Sequence, residues 1–213
     1  MITGLISTLN SEEGAIMKRN MFILSGLLLL GIPFLASGAE WQVDPNHSSF
    51  GFKIRHMMVS NVKGDFSKVL KGMIRFDDQN VSNSKAEVVI DAASINTAHA
   101  KRDDHLRSPD FFDVAKYPTI AFVTKQVTNN GPGKLKVTGD LTMHGMTKEI
   151  MLDVLGPTPE IKDPGGNFRR GLTGTAKIDR RDFGITYNRL LEAGGMVVGN
   201  EVDIAVEIEL IRK

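Results

Sequence analysis

Apolar and polar side chains alternate with a two-residue period along most of this chain. In the run Phe50–His56, the aromatic, aliphatic and imidazole side chains fall on one face of an extended strand, and Lys53 and Arg55 fall on the other. The pattern returns in six later runs, which begin at Leu70, Ala86, Leu135, Ile150, Leu172 and Val202. Such a chain is typical of an antiparallel sheet that buries one face and leaves the other in water.

With Thr119–Thr128, these seven runs make eight strands separated mainly by tight turns, and the short Trp41–Val43 precedes them. Such a list suits a barrel or a sandwich. Charged residues occupy one face of nearly every run, so the sheet has one continuous outer surface and one interior, which favours the barrel. Eight strands close around an interior that can hold one small ligand where side chains do not fill it. We therefore predict an all-β fold, an eight-stranded antiparallel barrel with one short helical lid segment.

The predicted lid segment is Arg102–Asp113, where the alternation stops. Charged and titratable residues follow one another here and end on a pair of phenylalanines. A helix beginning near Thr97 or Lys101 would turn Leu106 to one side and the Arg, Asp and His side chains to the other. Pro109 would end it, because proline lacks a backbone donor and disfavours a helical residue before it.

Small residues interrupt the inward rows of large aliphatic side chains at Gly72, Gly139, Gly174 and Ala176. Glycine inside a strand weakens packing and often marks a close approach by another group. Two interpretations are open at this point. A ligand approaches the sheet there, or the glycines are bends of a coiled sheet.

The first 39 residues have the layout of a secretory signal: the basic Met17–Arg19, the apolar run Met21–Leu35 and small residues up to Ala39. The apolar run has 15 residues, which is short for a membrane span, although an uncleaved anchor is the alternative. We expect cleavage after Ala39, with Met17 as a candidate for the true start. This would leave one domain, residues 40–213, in the periplasm or secreted. The chain contains no cysteine, so that domain would be stable without disulfides.

The charges are balanced, with 26 Lys and Arg against 25 Asp and Glu and a formal net charge of +1. A nucleic-acid-binding surface would need a clustered basic excess, and the balance argues against one. The two basic pairs, Arg169–Arg170 and Arg180–Arg181, are interpreted as a solvated rim.

A series of motifs along the chain resembles the YceI-like family, the bacterial polyisoprenoid-binding periplasmic proteins. In chain order they are Asp44–Ser48, Gly64–Phe66, Arg102–Asp113 with Tyr117–Pro118, Gly139–Thr142, Arg181–Gly184 and Gly199–Val202. The similarity covers essentially all of Glu40–Lys213. One departure is Asn200, where the family pattern has an acidic residue.

The resemblance implies a lipocalin-like barrel with an elongated apolar pocket for a long isoprenoid chain, such as a polyprenyl lipid or an isoprenoid quinone. Transport, storage and sensing are all compatible with such binding. The resemblance implies no metal and no resident cofactor besides the lipid. Loading would involve transient membrane contact, and the oligomeric state is open, a dimer included.

For the lining of the pocket we predict the inward aromatic side chains, although some of them must be ordinary core. They are Phe50, Phe52, Phe66, Phe76, Phe111, Phe112, Phe122, Phe183 and Tyr187. His56 shares their face and is predicted to be a hydrogen-bonded core histidine or a polar contact for the ligand head group.

Three other functions are weighed against lipid binding. Histidines 47, 56, 99, 105 and 144 make a His/Asp-based enzyme the main alternative, although the chain has no Gly-x-Ser-x-Gly elbow and no cysteine. The histidines lack the close pairings typical of metal sites, which leaves a metal site where His56 meets His47 or His144 across strands. A ligand-free secreted interaction module would have a filled barrel.

Overall fold

The computed structural model describes residues 38–192 and 194–213, so residues 1–37 of the predicted signal peptide lie outside the described residues. The strands are β1 (Ala39–Val43), β2 (Ser49–His56), β3 (Ser60–Phe66), β4 (Val69–Phe76), β5 (Lys85–Asp91), β6 (Ile95–Asn96), β7 (Thr119–Asn129), β8 (Lys134–Met143), β9 (Met146–Leu155), β10 (Ile161–Lys162), β11 (Phe168–Asp179) and β12 (Val198–Arg212). Among the described residues, one α-helix, α1, spans Ala100–Arg107. Within the described ranges, no helix has the length and apolar character needed to cross a membrane.

Eight strands close into an antiparallel barrel, as predicted. Around the ring the order is β1, β4, β5, β7, β8, β9, β11 and β12, and β12 pairs again with β1. The pairing of β1 with β12 runs only from Trp41 opposite Arg212 to Val43 opposite Leu210. Trp41 and Leu210 are among the largest fully buried side chains, so tight packing lies directly at this short closure.

The long strand β12 also carries an extra arm of the sheet. One edge of β12 pairs with β11 along its length, and the other pairs first with β2 and then with β1. From β2 the sheet continues through β3 to the two-residue β6. The sequence pattern indicated about eight strands, whereas twelve are present in the described residues, because β3, β6 and β10 lack a clear apolar alternation.

The helix α1 begins and ends where the sequence predicted. The His99 side chain accepts a hydrogen bond from the Arg102 amide at its start, and Ser108 caps its end immediately before Pro109. The carboxylate of the buried Asp103 accepts a hydrogen bond from the Thr97 amide, 2.9 Å away. Burial works to raise the pKa of Asp103, but hydrogen bonds from the Thr97 side chain and amide outweigh it and hold that pKa below its ordinary value.

Arginine side chains hold α1 to the chain before it. Arg102 donates to the hydroxyl and carbonyl oxygens of Thr97, at 2.7 and 2.8 Å. Arg107 donates to the carbonyl oxygens of Ala93 and Ile95, at 2.8 and 2.9 Å. The lid segment is therefore tied to the chain around β6, at the end of the arm, by hydrogen bonds to neutral oxygens. Salt weakens such bonds less than it weakens surface ion pairs.

The inward glycines make room for neighbouring side chains of the protein. A Cβ atom at Gly139 would lie 2.5 Å from Cζ of Phe122 and 2.5 Å from the carbonyl oxygen of Val123. At Gly72 it would lie 2.6 Å from Cβ of Val43. Neither glycine lines the central cavity, so protein atoms occupy the space that each glycine leaves.

Candidate functional site

The inside of the barrel contains a large cavity. Its volume is about 540 Å³, within the range of roughly 300–1,000 Å³ typical of small-molecule sites. Aliphatic and aromatic side chains from the barrel strands, the β2–β3 arm and the lid segment form most of its wall. The barrel interior is thus not filled by side chains of the described residues, unlike the filled barrel expected of a ligand-free module.

Eight of the ten predicted site residues come together around this cavity. They are Phe50, Phe52, His56, Phe66, Phe111, Phe112, Phe122 and Tyr187. That they bind a ligand remains a prediction. The strand residues among them were chosen because the two-residue alternation puts them on one face, and that face does point into the cavity. Phe111 and Phe112 follow α1 and bring the lid segment into the same wall.

The other two predicted site residues, Phe76 and Phe183, lie outside the cavity lining. Phe76 is buried at the end of β4, where its ring centroid lies 5.7 Å from the guanidinium carbon of Arg170. Phe183 is fully buried at the end of a 3₁₀ turn, and its carbonyl oxygen lies 3.0 Å from Nδ1 of His144. Both are core residues, because strand ends and turns displace their rings from the central space.

Aromatic contacts connect the lid segment to the rest of the wall. The His105 ring lies edge to face with the rings of Phe111 and Tyr187, with 5.0 Å between centroids in each pair. Phe111 and Tyr187 are themselves 5.0 Å apart. His105 Nε2 also lies 2.8 Å from the carboxylate of the exposed Asp110. A His–Asp pair is therefore present at the cavity edge, but it contacts aromatic rings and presents no nucleophilic side chain.

The charged and titratable side chains of the cavity wall were not predicted as a set. Besides His56 and Tyr187 they are Arg55, Arg102, His105, Arg180 and Arg189. No Asp or Glu of the described residues belongs to the lining. Contacts bring two of them together at the start of β12, where His56 pairs with Val198 and Arg180 donates to the carbonyl oxygen of Gly199. This end of the apolar cavity therefore has a cationic wall.

The basic pair Arg180–Arg181 does not form a solvated rim as a unit. Arg181 is exposed and bonds the carboxylate of Asp179, whereas Arg180 is only 4% exposed. Arg180 donates from Nε to the carbonyl oxygen of Gly199 and from Nη1 to that of Ile185, at 2.8 and 2.7 Å. Burial lowers the pKa of Arg180 from its ordinary value, although an arginine stays charged in proteins. The sequence could not separate the two residues, because only tertiary packing distinguishes them.

The histidines do not meet in the way that the metal alternative required. His56 pairs with Val198 along β12 and lines the cavity, whereas the ring of His144 packs 4.8 Å from that of Tyr117. In the described residues, one group of three potential ligands lies within 4.8 Å, namely Asp44, His47 and Glu209.

A guanidinium group already supplies a positive charge to that cluster. Arg169 Nη1 donates to Asp44, 2.8 Å away, and also to Glu209, while its Nε donates to Asp163 at 2.6 Å. Arg169 and then His47 hold the pKa of Asp44 at about 2, and the hydrogen bond to Asp44 raises the pKa of His47. The cluster is therefore satisfied as an ion-pair network that ties the β1–β2 turn to β11 and β12.

Comparison with known proteins gives one consistent family. The family model described as YceI-like domain matches residues 41–210. A UPF0312 protein of Vibrio cholerae is 35% identical over 201 residues, which cover 92% of this chain and all of that protein. The crystal structure of a Campylobacter jejuni YCEI protein is 33% identical, with a TM-score of 0.62 over 75% of this chain and 90% of that one. A polyisoprenoid binding domain from Saccharophagus degradans, 16% identical, shares the fold with a TM-score of 0.57 over 83% of this chain and 99% of that domain.

Proposed function

Because this chain belongs to the YceI-like family, we propose that it holds a long-chain isoprenoid lipid, a polyprenyl compound or an isoprenoid quinone, inside its barrel. The apolar cavity of about 540 Å³ is the observation that carries this proposal. An isoprenoid tail has no hydrogen-bonding groups, so its site needs length, an apolar wall and exclusion of water. Each buried methylene-sized unit contributes about 0.8 kcal/mol, so several isoprene units can bind firmly without polar contacts. The polyisoprenoid-binding domain of the same fold supports this ligand class.

Binding rather than catalysis is the activity that we propose. The polar side chains of the cavity are arginines and histidines, together with Tyr187, and no serine, threonine or carboxylate of the described residues lines it. Histidine and tyrosine can act as general acids or bases, but nucleophilic catalysis also needs a hydroxyl, thiol or carboxylate nucleophile within hydrogen-bond reach of such a base. Transport, storage and sensing all require the same reversible occupancy.

We place this binding in the periplasm or outside the cell, after cleavage at Ala39. The signal-like layout of residues 1–39 supports this proposal. Mass spectrometry of the mature protein from fractionated cells checks it. A mature chain that begins at Glu40 in the soluble periplasmic or secreted fraction is expected, and an uncleaved chain in the membrane fraction would contradict it.

We also propose that the β2–β3 turn touches a membrane when the lipid is loaded. Met58 and Val59 in this turn are 57% and 77% exposed, and Met57 and Met58 have the positive φ angles of 49° and 61°. Asn and Gly are the usual residues of such turns, so two methionines are costly there and turn chemistry does not explain them. The amide of Met57 donates to the carbonyl oxygen of Val197, 2.7 Å away, which sets the turn beside a loop with the exposed Leu190. This apolar tip adjoins the cationic end of the cavity, as suits a surface of anionic lipids.

Organic extraction of the folded protein, followed by mass spectrometry, tests the proposed ligand class. We expect a polyprenyl or quinone species from protein purified from its native host. Two neighbouring positions on β9 provide a matched comparison, because Leu152 lines the cavity and Met151 is exposed on the outer face. Leu152→Trp should fill the cavity and lower the recovered lipid, whereas Met151→Trp should not. Extracts without lipid from the native protein, or equal recovery from both variants, would contradict the proposal.

A further inference from the structure

Two neighbouring strands of the barrel, β9 and β11, pair over only part of their length. Their ladder ends after three pairs, where Thr175 lies opposite Asp153. Both strands continue beyond this point, but the described residues contain no further ladder pair between them. The other edges of the two strands are paired along almost their whole length, β9 with β8 and β11 with β12. We call the two unpaired stretches, Met146–Leu152 of β9 and Ala176–Asp179 of β11, the seam.

The seam opens directly into the cavity. Ile150 and Leu152 of β9 and Ile178 of β11 line the cavity, and all three belong to the unpaired stretches. Between them, Met151 is 50% exposed, so the outer face of the same stretch is in contact with water. A single layer of chain therefore separates the cavity from the outside at the seam, and passage there needs no ladder hydrogen bond to break.

Hydrogen bonds hold one end of the seam closed. Beyond the three ladder pairs, the amide of Thr158 donates to the carbonyl oxygen of Gly171 at 2.8 Å. The amide of Gly171 donates in return to the hydroxyl oxygen of Thr158 at 2.9 Å. The strands cannot part at this end without breaking these bonds and the ladder.

The opposite end of the seam is closed much more loosely. Here Nδ1 of His144 lies 3.0 Å from the carbonyl oxygen of Phe183. The side chain of Met146 covers the same place, because a Cβ atom at Gly184 would lie 3.2 Å from Met146 Sδ. Methionine is unbranched and flexible, so this side chain can swing aside at little cost.

The loose end of the seam lies at the same end of the barrel as the apolar tip of the β2–β3 turn. Asp179 ends β11 opposite Glu201, near the beginning of β12. Val198, three residues before Glu201, pairs with His56, which directly precedes the tip. A lipid that leaves a membrane at the tip is therefore close to the loose end of the seam.

The lid segment is the other candidate for an entrance, but it is tied more firmly. Arg102 and Arg107 donate four hydrogen bonds to oxygens of the preceding chain. Phe111 also packs on Tyr187, with 5.0 Å between ring centroids. Each of these contacts stabilises the closed lid, so opening it costs more than opening the loose end of the seam.

Resting on the proposed function, we propose that the seam between β9 and β11 is the entrance through which the lipid tail passes into and out of the barrel. The two strands part at the loose end, while the three ladder pairs hold the other end together. Segments that move for ligand entry are those with few stabilising contacts, and the seam meets that condition. The barrel therefore exchanges its ligand without unfolding and without release of the lid segment.

A cross-link across the seam tests this entrance. Continuing the register of Asp153 opposite Thr175 places Met151 opposite Lys177, and both of these side chains are exposed. The chain has no cysteine, so Met151→Cys with Lys177→Cys supplies the only two thiols, which a short bifunctional thiol reagent joins in the folded protein.

The probe is geranylgeranyl anthranilate, whose fluorescence rises in apolar surroundings. Stopped-flow mixing with the delipidated protein gives its association and dissociation rates. The cross-link should lower both rates about tenfold and leave the dissociation constant unchanged, because a blocked entrance slows passage equally in the two directions.

A cross-link within a paired ladder is the matched control. Thr138 of β8 lies directly opposite Met151, so Thr138→Cys with Met151→Cys carries the same reagent on the same face without spanning the seam. Both rates should then equal those of the unmodified protein. Unchanged rates after cross-linking of the seam, or equal slowing by the two cross-links, would overturn the entrance. Failure of the unmodified protein to bind either the probe or geranylgeraniol would instead overturn the proposed function, on which the entrance rests.

A single substitution tests the loose end in the opposite direction. Met146→Ala removes the side chain that packs on Gly184, so both rates should rise about threefold with the dissociation constant unchanged. Val123→Ala is the comparison, because Val123 is similarly exposed but lies on β7, away from the seam, and its loss should change neither rate. Unchanged or slower rates in Met146→Ala would overturn the assignment of the entrance to this end of the seam.

Discussion

The rings of Phe66 and Phe112 meet edge to face, with 5.5 Å between their centroids. Phe66 ends β3 and Phe112 follows α1, so this contact joins the arm of the sheet to the lid segment. Edge-to-face aromatic pairs contribute about 0.5–1.5 kcal/mol beyond the area that they bury. Both rings also line the cavity, so the contact that fixes the lid segment also shapes the site.

Shortening one of these rings should weaken tail binding. Phe112→Leu removes apolar contact worth about 0.8 kcal/mol per methylene-sized unit, so the dissociation constant for geranylgeraniol should rise about fourfold for each unit lost. Phe76→Leu is the control, because Phe76 is buried outside the cavity and should lower the free energy of unfolding without changing affinity. A larger loss of affinity in His105→Gln than in Phe112→Leu would contradict the prediction and favour the His/Asp alternative.

Replacing the exposed apolar side chains of the tip should reduce membrane attachment. A triple variant with Met58→Ser, Val59→Ser and Leu190→Ser should co-sediment with phosphatidylglycerol vesicles about fivefold less, because each side chain loses apolar contact with the interface. Its melting temperature should hardly change, since exposed substitutions usually alter stability by less than about 0.5 kcal/mol.

A second triple variant separates the tip from general surface hydrophobicity. Met151→Ser, Leu155→Ser and Ile161→Ser change side chains that are similarly exposed but lie on β9 and β10. This variant should bind vesicles like the unmodified protein. Equal loss of vesicle binding in the two triple variants would show that the tip has no special role.

Arg169 should control the acid stability of the domain. It holds the pKa of Asp44 and of Asp163 at about 2, below the ordinary value of 3.8. Both carboxylates therefore stabilise the fold fully above about pH 4, and this contribution is lost as the pH falls towards about 2. Arg169→Leu should lower the free energy of unfolding at pH 7, because it leaves these carboxylates without their cation.

Urea unfolding from pH 7 to pH 2 measures this effect. The curve of stability against pH should become flatter between about pH 4 and pH 2 in Arg169→Leu, since the two carboxylates lose their lowered pKa. Arg75→Leu breaks an exposed pair with Glu40 and should cost less than about 1 kcal/mol with no change of slope. An Arg169→Leu curve parallel to that of the unmodified protein would rule out the network as the source of acid sensitivity.

Gly139 should not tolerate a side chain. Gly139→Ala places a methyl group 2.5 Å from the Phe122 ring and from a backbone oxygen that cannot move alone, so a loss of about 2 kcal/mol is expected. Gly171→Ala is the comparison, because its Cβ atom would first meet Thr158 at 3.7 Å, an ordinary contact. Thermal unfolding of the two variants measures the difference, and equal stability would mean that the sheet yields at Gly139.

The barrel and the lid segment were predictable because each follows from local patterns. The alternation puts Phe50 and Phe52 on one face of β2, and that face lines the cavity. Strand β3 was missed, because its inward positions include Gly64, and its pairing with β2 depends on a turn with no usual turn residues. A Cβ atom at Gly64 would lie 2.6 Å from the Phe52 ring. The packing of Phe52 therefore requires glycine at position 64, and this glycine interrupts the apolar alternation by which β3 could have been predicted.

The cationic end of the cavity was not predictable from the sequence. Its members are far apart in the chain, and Arg180 stands beside Arg181 with the same local neighbours. What separates them is the packing of a 3₁₀ turn, Arg180–Phe183, against the beginning of β12. Some ion-pair partners likewise lie far away in the chain, as Asp78 does from Arg170 and Glu160 from Arg212, so only the folded chain shows which arginines remain without a carboxylate.

The double role of β12 has a consequence for how the chain folds. Trp41 pairs with Arg212 across almost the whole domain, and both β2 and β11 take their register from the same strand. Contacts so distant in sequence slow folding, because the loop entropy is lost before the contacts form. Until β12 adds to the sheet, neither the barrel wall nor the pocket end at Gly199 exists. We therefore expect slow, concerted folding in which closure of the barrel and formation of the binding site are one event.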